Sequence, residues 1–146
     1  MKIYIGKSRL HGKGIFATKN IAKGKMVFII KGKKLKFLID NEKQAQIARL
    51  NWIGIGKNEW IDPVSYGLFI NHSCNPNSVI KGKVTVIALR DIKKDEEITL
   101  DYSLDEADIF WHLKCNCGST NCRKITESIQ FLPHKIFAQH RNSVPK

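Results

Sequence analysis

The chain of 146 residues fits a single domain that can bury about two-thirds of the surface its unfolded form exposes, and it carries 25 Lys and Arg against 13 Asp and Glu, a net charge of +12. No apolar run approaches the roughly 20 residues that a membrane helix needs, and the N-terminus lacks the apolar region of an export signal. These features argue against a membrane protein. They predict a soluble, intracellular protein of the cytoplasm, nucleoid or nucleus, with delivery to a host cell left open.

Short runs of β-branched residues separated by Gly-Lys turns predict a mainly β domain. The expected strands cover residues 3–5, 26–30, 84–89 and 98–100, with a hairpin turn at 81–83. A helix is expected over residues 41–50, because Asn41 and Gln44 resemble a capping box. A second short helix is expected over residues 105–113, and the last twenty or so residues are expected to form a peripheral tail.

The charges are unevenly distributed. Residues 1–43 carry twelve Lys and Arg against Asp40 and Glu42, which makes nucleic acid one candidate partner, although the codon bias of an AT-rich genome explains the lysines almost as well. Eight of the thirteen acidic residues lie within residues 91–108. This stretch predicts a local negative surface that would attract a cationic peptide.

Two glycines, Gly12 and Gly14, flank Lys13 before the apolar residues 15–17. Glycine lets the backbone approach a ligand closely and offer its N–H or C=O groups. By itself the pattern is more typical of a tight turn, since the third glycine of a dinucleotide-binding fingerprint is missing.

Asn71 and His72 follow the apolar residues 68–70, so they are expected to leave a buried segment and present an amide and an imidazole at its end. These groups would suit the ring edge of a purine or an amino-acid headgroup. The alternative is a structural loop in which both side chains cap neighbouring backbone groups.

Three of the four cysteines lie within eight residues, as Cys115, Cys117 and Cys122, and Cys74 follows the Asn-His pair. In a reducing compartment such a set indicates a metal rather than disulfides, and Cys115 and Cys117 are too close in sequence to bridge each other readily. Four thiolates complete a tetrahedral site with no position left for water. The pattern therefore predicts a structural zinc.

An alternating strand over residues 96–103 brings Tyr102 to its end beside acidic residues. A tyrosine at this position usually packs with its hydroxyl in water. It could instead hydrogen-bond and align a substrate amine, with Tyr66 as a second aromatic wall.

The ordered series GKGIFA, FINHSCNPN, DEEITLDY and CxCx4C, over about residues 3–126, resembles the SET-domain protein lysine methyltransferases with their post-SET segment. The resemblance implies a mainly β SET-domain (β-clip) fold with a knot-like core, short helices and a C-terminal post-SET zinc segment. The implied organisation is a SET domain at residues 1–113, the post-SET segment at 114–126 and a C-terminal extension at 127–146.

The resemblance also implies roles for individual residues. Tyr102 is the expected catalytic tyrosine, and Phe69, Leu100 and Tyr66 are expected to line the lysine channel. The S-adenosylmethionine contacts are expected from Lys13, Gly14, Asn71, His72, Tyr102 and either Trp111 or Phe110, and the zinc ligands are expected to be Cys74, Cys115, Cys117 and Cys122.

Two positions depart from the family pattern. Leu68 stands where many relatives have Arg, so a contact to the cofactor carboxylate is either absent or comes from elsewhere, with Lys13 and Arg9 as candidates. Leu100 stands where many have Tyr or Phe, which suggests room for higher methylation.

The expected activity is S-adenosylmethionine-dependent N-methylation of a lysine in a basic protein, such as a histone-like or ribosomal protein. One alternative is a catalytically silent SET-fold module that binds peptide or cofactor. Another is a zinc-stabilised nucleic-acid-binding domain, although the sequence shows no recognition helix for that role.

Overall fold

The computed structural model describes residues 2–47 and 51–140, and this part of the chain is mainly β, as predicted. The first six strands are β1 (Ile3–Lys7), β2 (Lys13–Ala17), β3 (Met26–Ile29), β4 (Lys31–Lys36), β5 (Ile53–Gly56) and β6 (Glu59–Val64). The next six are β7 (Asn71–His72), β8 (Ser78–Lys81), β9 (Thr85–Ala88), β10 (Glu97–Leu100), β11 (His112–Lys114) and β12 (Ile125–Glu127). Two helices, α1 (Glu42–Ile47) and α2 (His134–His140), and three 3₁₀ turns (Ser65–Phe69, Tyr102–Leu104 and Ile129–Phe131) complete it.

The sheet that positions the site has the strand order β1-β2-β10-β7. Strand β2 pairs antiparallel with both β1 and β10, whereas the two-residue β7 pairs parallel with β10. In that parallel register Thr99 lies opposite Asn71 and Leu100 opposite His72. The Asn-His segment and the segment that leads to Tyr102 are therefore neighbours, although about thirty residues separate them in the chain.

The remaining strands form the sheets β3-β9-β8, β4-β6-β5 and β11-β12. The hairpin turn predicted at residues 81–83 is confirmed, because β8 ends at Lys81 and β9 begins at Thr85. Gly82 takes a φ of +68° there, a left-handed conformation that glycine adopts without steric cost.

The hydrophobic core joins the first two sheets. Ile15 and Ile98 from the β2-β10 pair pack in one cluster with Ile80 and Val86 from the β8-β9 pair, and Ile15, Ile98 and Val86 are completely buried. Each buried aliphatic side chain of this kind contributes about 1.5–3 kcal/mol relative to its exposed state. The strands that carry the site are thus anchored in the best-packed part of the molecule.

The first predicted helix begins as expected. The Asn41 side-chain oxygen accepts the backbone N–H of Gln44 at 3.0 Å, and the Gln44 side chain accepts the backbone N–H of Asp40 at 2.8 Å. Helix α1 is seen over Glu42–Ile47, and residues 48–50 of the prediction lie outside the described residues.

The second predicted helix, over residues 105–113, is wrong. The chain makes turns after the 3₁₀ segment Tyr102–Leu104 and then enters β11. The side chain of Glu106 accepts the backbone N–H of Asp108 at 2.8 Å, and that of Asp108 accepts the N–H of Phe110 at 2.9 Å. Such local side-chain turns satisfy the backbone donors that a helix would have used.

The predicted boundary at residues 113/114 falls inside the β11-β12 hairpin, where His112 pairs with Glu127. The division into three segments stays a prediction. Beyond the hairpin, the backbone N–H of Ile129 and the hydroxyl of Ser128 both bond to the carbonyl of Glu106.

Among the described residues, none of the helices has the length and apolar character needed to cross a membrane.

Candidate active site and metal centre

The structure brings the four cysteines together. Their sulfur atoms all lie within 4.8 Å of one another. Cys74 comes from the loop after β7, and the other three come from residues 112–127, here called the cysteine segment. Cys74 and Cys115 are each 4% exposed, so the cluster is partly shielded from water.

The spacing of the sulfurs fits a tetrahedral zinc. Zinc–sulfur bonds of about 2.3 Å in a tetrahedron place the sulfurs about 3.8 Å apart. Cys115 lies 3.8 Å from the sulfur of Cys74 and 3.7 Å from that of Cys122. The backbone N–H of Arg123 also points at the cluster and lies 3.4 Å from the Cys74 sulfur. The four residues therefore suit a closed, structural metal site.

The thiols of the cluster differ in acidity. Burial raises the pKa of Cys74 to about 12. Burial acts in the same direction on Cys117, but hydrogen bonds from the Ser119 hydroxyl and the backbone N–H of Cys74 prevail and lower its pKa to about 6. Because zinc binds thiolates, loading the site must release the protons that burial retains.

Asn71 holds residues 11–14, here called the glycine loop, in place. Its amide nitrogen donates to the carbonyl of Lys13 at 3.0 Å, to that of His11 at 3.2 Å and to the carboxylate of Glu97 at 2.7 Å. A Cβ atom at Gly14 would overlap the same carboxylate. The donors of Asn71 are thus used inside the protein, and its carbonyl oxygen is the atom it can offer to a ligand.

His72 contacts both Tyr102 and the cysteine segment. Its Nδ1 accepts the backbone N–H of Tyr102 at 3.1 Å, so the proton of the neutral ring is on Nε2. Nε2 lies 3.1 Å from the Thr126 hydroxyl and 3.4 Å from the Cys74 sulfur. Burial lowers the pKa of His72 to about 4, against the opposing effect of Asp101. With both nitrogens engaged, the ring face and the backbone of His72 are what a ligand can contact.

Tyr102 is fixed by its hydroxyl as well as by its backbone. The phenol donates to the carbonyl of Ile70 at 2.6 Å, and its ring centroid lies 5.2 Å from that of His72 and 6.4 Å from that of Trp111. Burial, together with the charge of Glu97, raises the pKa of Tyr102. The phenol therefore stays protonated at neutral pH.

A cavity of about 600 Å³ connects these groups. Its volume is in the range of sites for drug-sized ligands. Of the residues expected to contact the cofactor or line the channel, it is lined by Asn71, His72, Leu100, Tyr102 and Trp111.

Other expected residues are not on the wall of this cavity. Lys13 has its ammonium 5.7 Å from the ring centroid of Phe69, and Tyr66 packs edge-on against Phe28. Gly14, Arg9 and Phe110 are likewise not among the lining residues, whereas Leu68 is. The roles expected for these residues stay predictions.

Several residues of the site were missed by the sequence analysis. Glu97 lies in the acidic motif, and only the tertiary structure shows it under Asn71. Arg123, next to Cys122, forms an ion pair with the buried Asp101. Its position directly after the last cysteine is the only signal that could have drawn attention to it.

Two further cavity residues, Trp52 and Asp105, each have a shielded polar atom with no partner in the described part of the chain. Burial raises the pKa of Asp105 well above its usual range and, for its neighbour Glu106, raises the pKa to about 7. This wall of the cavity therefore offers an indole N–H and carboxyl groups that are readily protonated.

A mainly β fold in which an Asn-His strand pairs parallel with the strand that leads to a partly buried tyrosine defines a class of domain. The family model described as "SET domain" matches residues 12–103. The chain belongs to the SET domain family.

Named relatives agree with this family. The chain is 33% identical, over 83% of its length, to an H3 lysine-4 specific histone-lysine N-methyltransferase of Aspergillus oryzae. It is 32% identical, over 84% of its length, to histone-lysine N-methyltransferase 2D of Homo sapiens. The chain spans only 11% and 2% of these two proteins, so the match concerns one domain of much longer chains.

Solved structures give the same fold. A Plasmodium falciparum protein named as a histone methyltransferase aligns over 69% of this chain and 92% of its own, with a TM-score of 0.55 and 30% identity. A Chaetomium thermophilum Polycomb Repressive Complex 2 aligns over 70% of this chain and 15% of its own, with a TM-score of 0.60. Its 24% identity supports the fold alone.

Proposed function

We propose that the protein is an S-adenosylmethionine-dependent protein lysine N-methyltransferase. The observation that carries the proposal is the shared cavity, on whose wall Asn71, Leu100 and the partly buried phenol of Tyr102 meet the cysteine segment. The relatives named above are histone-lysine methyltransferases, which favours the same chemistry.

The reaction requires a neutral lysine amine, although a free lysine side chain has a pKa of about 10.4. Bound S-adenosylmethionine would supply the methyl group and a positive charge. The buried Leu100 and the ring of Tyr102 would take the amine out of water, and desolvation lowers the pKa of an amine. Catalysis would then rest on alignment of the amine rather than on a nucleophilic side chain.

Tyr102 has a defined part in this scheme. Its raised pKa excludes it as a base at neutral pH. Its hydroxyl donates to the carbonyl of Ile70, so two oxygen atoms are held 2.6 Å apart. Those oxygens would orient the reacting groups.

The cofactor would be held by the backbone of Lys13 and Gly14, by the carbonyl oxygen of Asn71 and by the ring and backbone of His72, with Trp111 available for stacking. Glu97 would keep Asn71 and the glycine loop in register through its bonds to Asn71 and Ser8. The four cysteines would hold a structural zinc in a post-SET segment, and this zinc would keep the cysteine segment against the cavity.

The substrate we propose is a lysine in a basic protein, such as a histone-like or ribosomal protein. In the acidic stretch of residues 91–108, the exposed Asp91 and Asp95 would attract such a partner, whereas Asp101, Glu106 and Asp108 are buried and contribute no negative surface. Leu100 would leave more space around the amine than Tyr or Phe, which favours higher methylation states. We place the activity inside a cell, and the exposed lysines of β4 are available to nucleic acid associated with the substrate.

A second candidate function is a silent module that binds peptide or cofactor without transfer. The observation that favours it is Leu68, which lines the cavity where many family members carry Arg. Binding of cofactor without methylation of any substrate would distinguish this candidate from the enzyme.

The test is incubation with labelled S-adenosylmethionine and a panel of histones, histone-like proteins and ribosomal proteins. Intact mass would count the methyl groups, and a sample without substrate would reveal self-methylation. Tyr102→Phe should lower kcat by about 100-fold through loss of alignment. Tyr4→Phe is the matched control, because Tyr4 is an exposed tyrosine whose hydroxyl bonds to Asp95 outside the site. Equal rates for wild type and Tyr102→Phe would remove Tyr102 from the mechanism.

A further inference from the structure

A partly buried ion pair connects the cysteine segment to the residues around Tyr102. The guanidinium of Arg123 donates to both carboxylate oxygens of Asp101, at 2.9 and 2.6 Å. The two side chains are 14% and 1% exposed. Arg123 also donates to the hydroxyl of Ser103 at 3.2 Å. Two-point pairing of this kind fixes direction as well as distance.

Asp101 holds the backbone at the residue that follows Tyr102. Its carboxylate accepts the N–H of Ser103 at 3.2 Å and so caps the 3₁₀ turn that begins at Tyr102. His72 accepts the N–H of Tyr102 itself. The backbone of Tyr102 is thus restrained at its own amide and at the next one.

The other end of Arg123 belongs to the cysteine cluster. The residue follows Cys122 directly, and its backbone N–H donates to the sulfur of Cys74 at 3.4 Å. One residue therefore touches the cluster through its backbone and the tyrosine turn through its side chain.

Stability alone is a weak reason for this pair. Burying two charges costs desolvation energy that their attraction often only offsets, and apolar replacements can be equally stable. A bidentate pair is, however, well suited to fixing geometry. In the proposed reaction a displacement of about 1 Å at the tyrosine would cost about 100-fold in rate.

We propose that Arg123 is a positioning residue that couples the order of the cysteine segment to the placement of Tyr102 through Asp101. This inference rests on the proposed methyl transfer. It assigns to the cysteine segment a part in setting the catalytic step, in addition to closing the cavity.

Two substitutions separate positioning from general stability. Arg123→Lys keeps the positive charge but loses the two-point geometry, and it should lower kcat about tenfold. Arg123→Met removes the charge as well and should lower kcat about 100-fold. For Arg123→Lys, zinc content and the KM for cofactor should stay within about twofold of wild type, because neither the cysteines nor Asn71 is touched.

The matched control is Arg90→Met. Arg90 pairs with Glu96 at the same 2.6 Å, but its side chain is 53% exposed and lies outside the cavity. An arginine-to-methionine change there should leave kcat unchanged. A kcat for Arg123→Lys equal to that of wild type would overturn the proposal. A loss of zinc and cofactor binding as large as the loss of kcat would also overturn it.

Amide hydrogen exchange over residues 99–104 gives a readout that does not need activity. Arg123→Lys should speed exchange there at unchanged zinc content, and it remains informative if Arg123→Met does not fold. If wild type transfers no methyl group, the proposed function fails. Unchanged exchange in Arg123→Lys would then show separately that the coupling is absent, whereas faster exchange would support it.

Discussion

Strands β2 and β10 bury Ile15, Ile98 and Leu100 in a continuous apolar cluster, whereas the cysteine segment, residues 112–127, buries only Cys115 and Thr126. The first region is stabilised by the burial of apolar surface. The second has almost no apolar core, and its connections are thiols, one ion pair and a few hydrogen bonds. The two regions meet at the cavity, so one wall is rigid by packing and the other is rigid only while its cross-links hold.

This difference explains the polar groups at the junction. His72 carries contacts to both Tyr102 and Thr126, and Asn121 donates to the carbonyl of Cys74 at 2.9 Å. A region without a core cannot be placed by burial, so directional bonds place it. We expect perturbations of the cysteine segment to act mainly on activity, and perturbations of the sheet to act mainly on stability.

The largest expected effect follows removal of the metal. Chelation, or Cys115→Ser, should reduce methyl transfer by at least about 100-fold, because structural zinc supplies about 10–16 kcal/mol to small metal-dependent folds. Zinc content by atomic spectroscopy and amide exchange over residues 112–127 would measure the change. Zinc added back should restore the chelated protein but not Cys115→Ser. If the amides of residues 112–127 stay protected from exchange after complete chelation, the metal does not hold the cysteine segment in place.

The next effect concerns pH at the junction, where Glu106 has its pKa raised from 4.5 to about 7 by burial. A raised carboxyl pKa means that the folded state binds the proton more tightly, so this stabilisation is present below pH 4.5 and is lost as pH rises through about 7. A shift of this size corresponds to about 3 kcal/mol.

Glu106→Gln should remove that loss while its side-chain oxygen still accepts the N–H of Asp108. Urea unfolding at pH 5 and pH 8 would test this, with Glu127→Gln, at an exposed position, as the control. From pH 5 to pH 8, the free energy of unfolding should fall less in Glu106→Gln than in wild type. The same pH dependence in wild type and Glu106→Gln would show that Glu106 does not cause the loss of stability.

A smaller effect is expected on the sheet side of the cavity from Gly14→Ala. The added methyl group would overlap the Glu97 carboxylate and push it away from Asn71 and Ser8. Overpacking of this kind costs about 1–3 kcal/mol, and cofactor affinity should fall about tenfold.

Gly6→Ala is the matched control for that change, because Gly6 lies opposite Gly14 in the β1-β2 pair and its added Cβ would meet only aromatic rings. Calorimetric titration with the cofactor would compare the two variants. Equal affinities would show that the glycine loop does not contribute to the cofactor site.

The smallest effect is expected at the surface. Lys83 and Glu59 pair at 2.9 Å, with side chains 57% and 36% exposed. Lys83→Met should change the free energy of unfolding very little, and high salt should abolish the difference. A larger loss would mean that this exposed pair contributes as much as the partly buried pair of Arg123 and Asp101.

Much of the site could be read from the residues in order. The motif around Asn71, the acidic strand ending at Tyr102 and the cysteine spacing each depend on a few neighbouring residues, and together they indicated both the family and the four cysteines that gather in space. The mainly β character followed from β-branched runs, because alternation of side chains on a strand is a local property.

The tertiary structure decided the features that depend on distant partners. Residues 105–113 do not form a helix because Glu106 and Asp108 bond to nearby backbone groups and Glu106 also anchors Ile129. The placement of Glu97 under Asn71 and of Arg123 against Asp101 likewise needs strands to pair across more than twenty residues. The sequence by itself therefore determined which chemical groups this protein has and in what local order. Only the folded chain decided which of them share one cavity, because burial and hydrogen bonding are satisfied between segments that local patterns cannot relate.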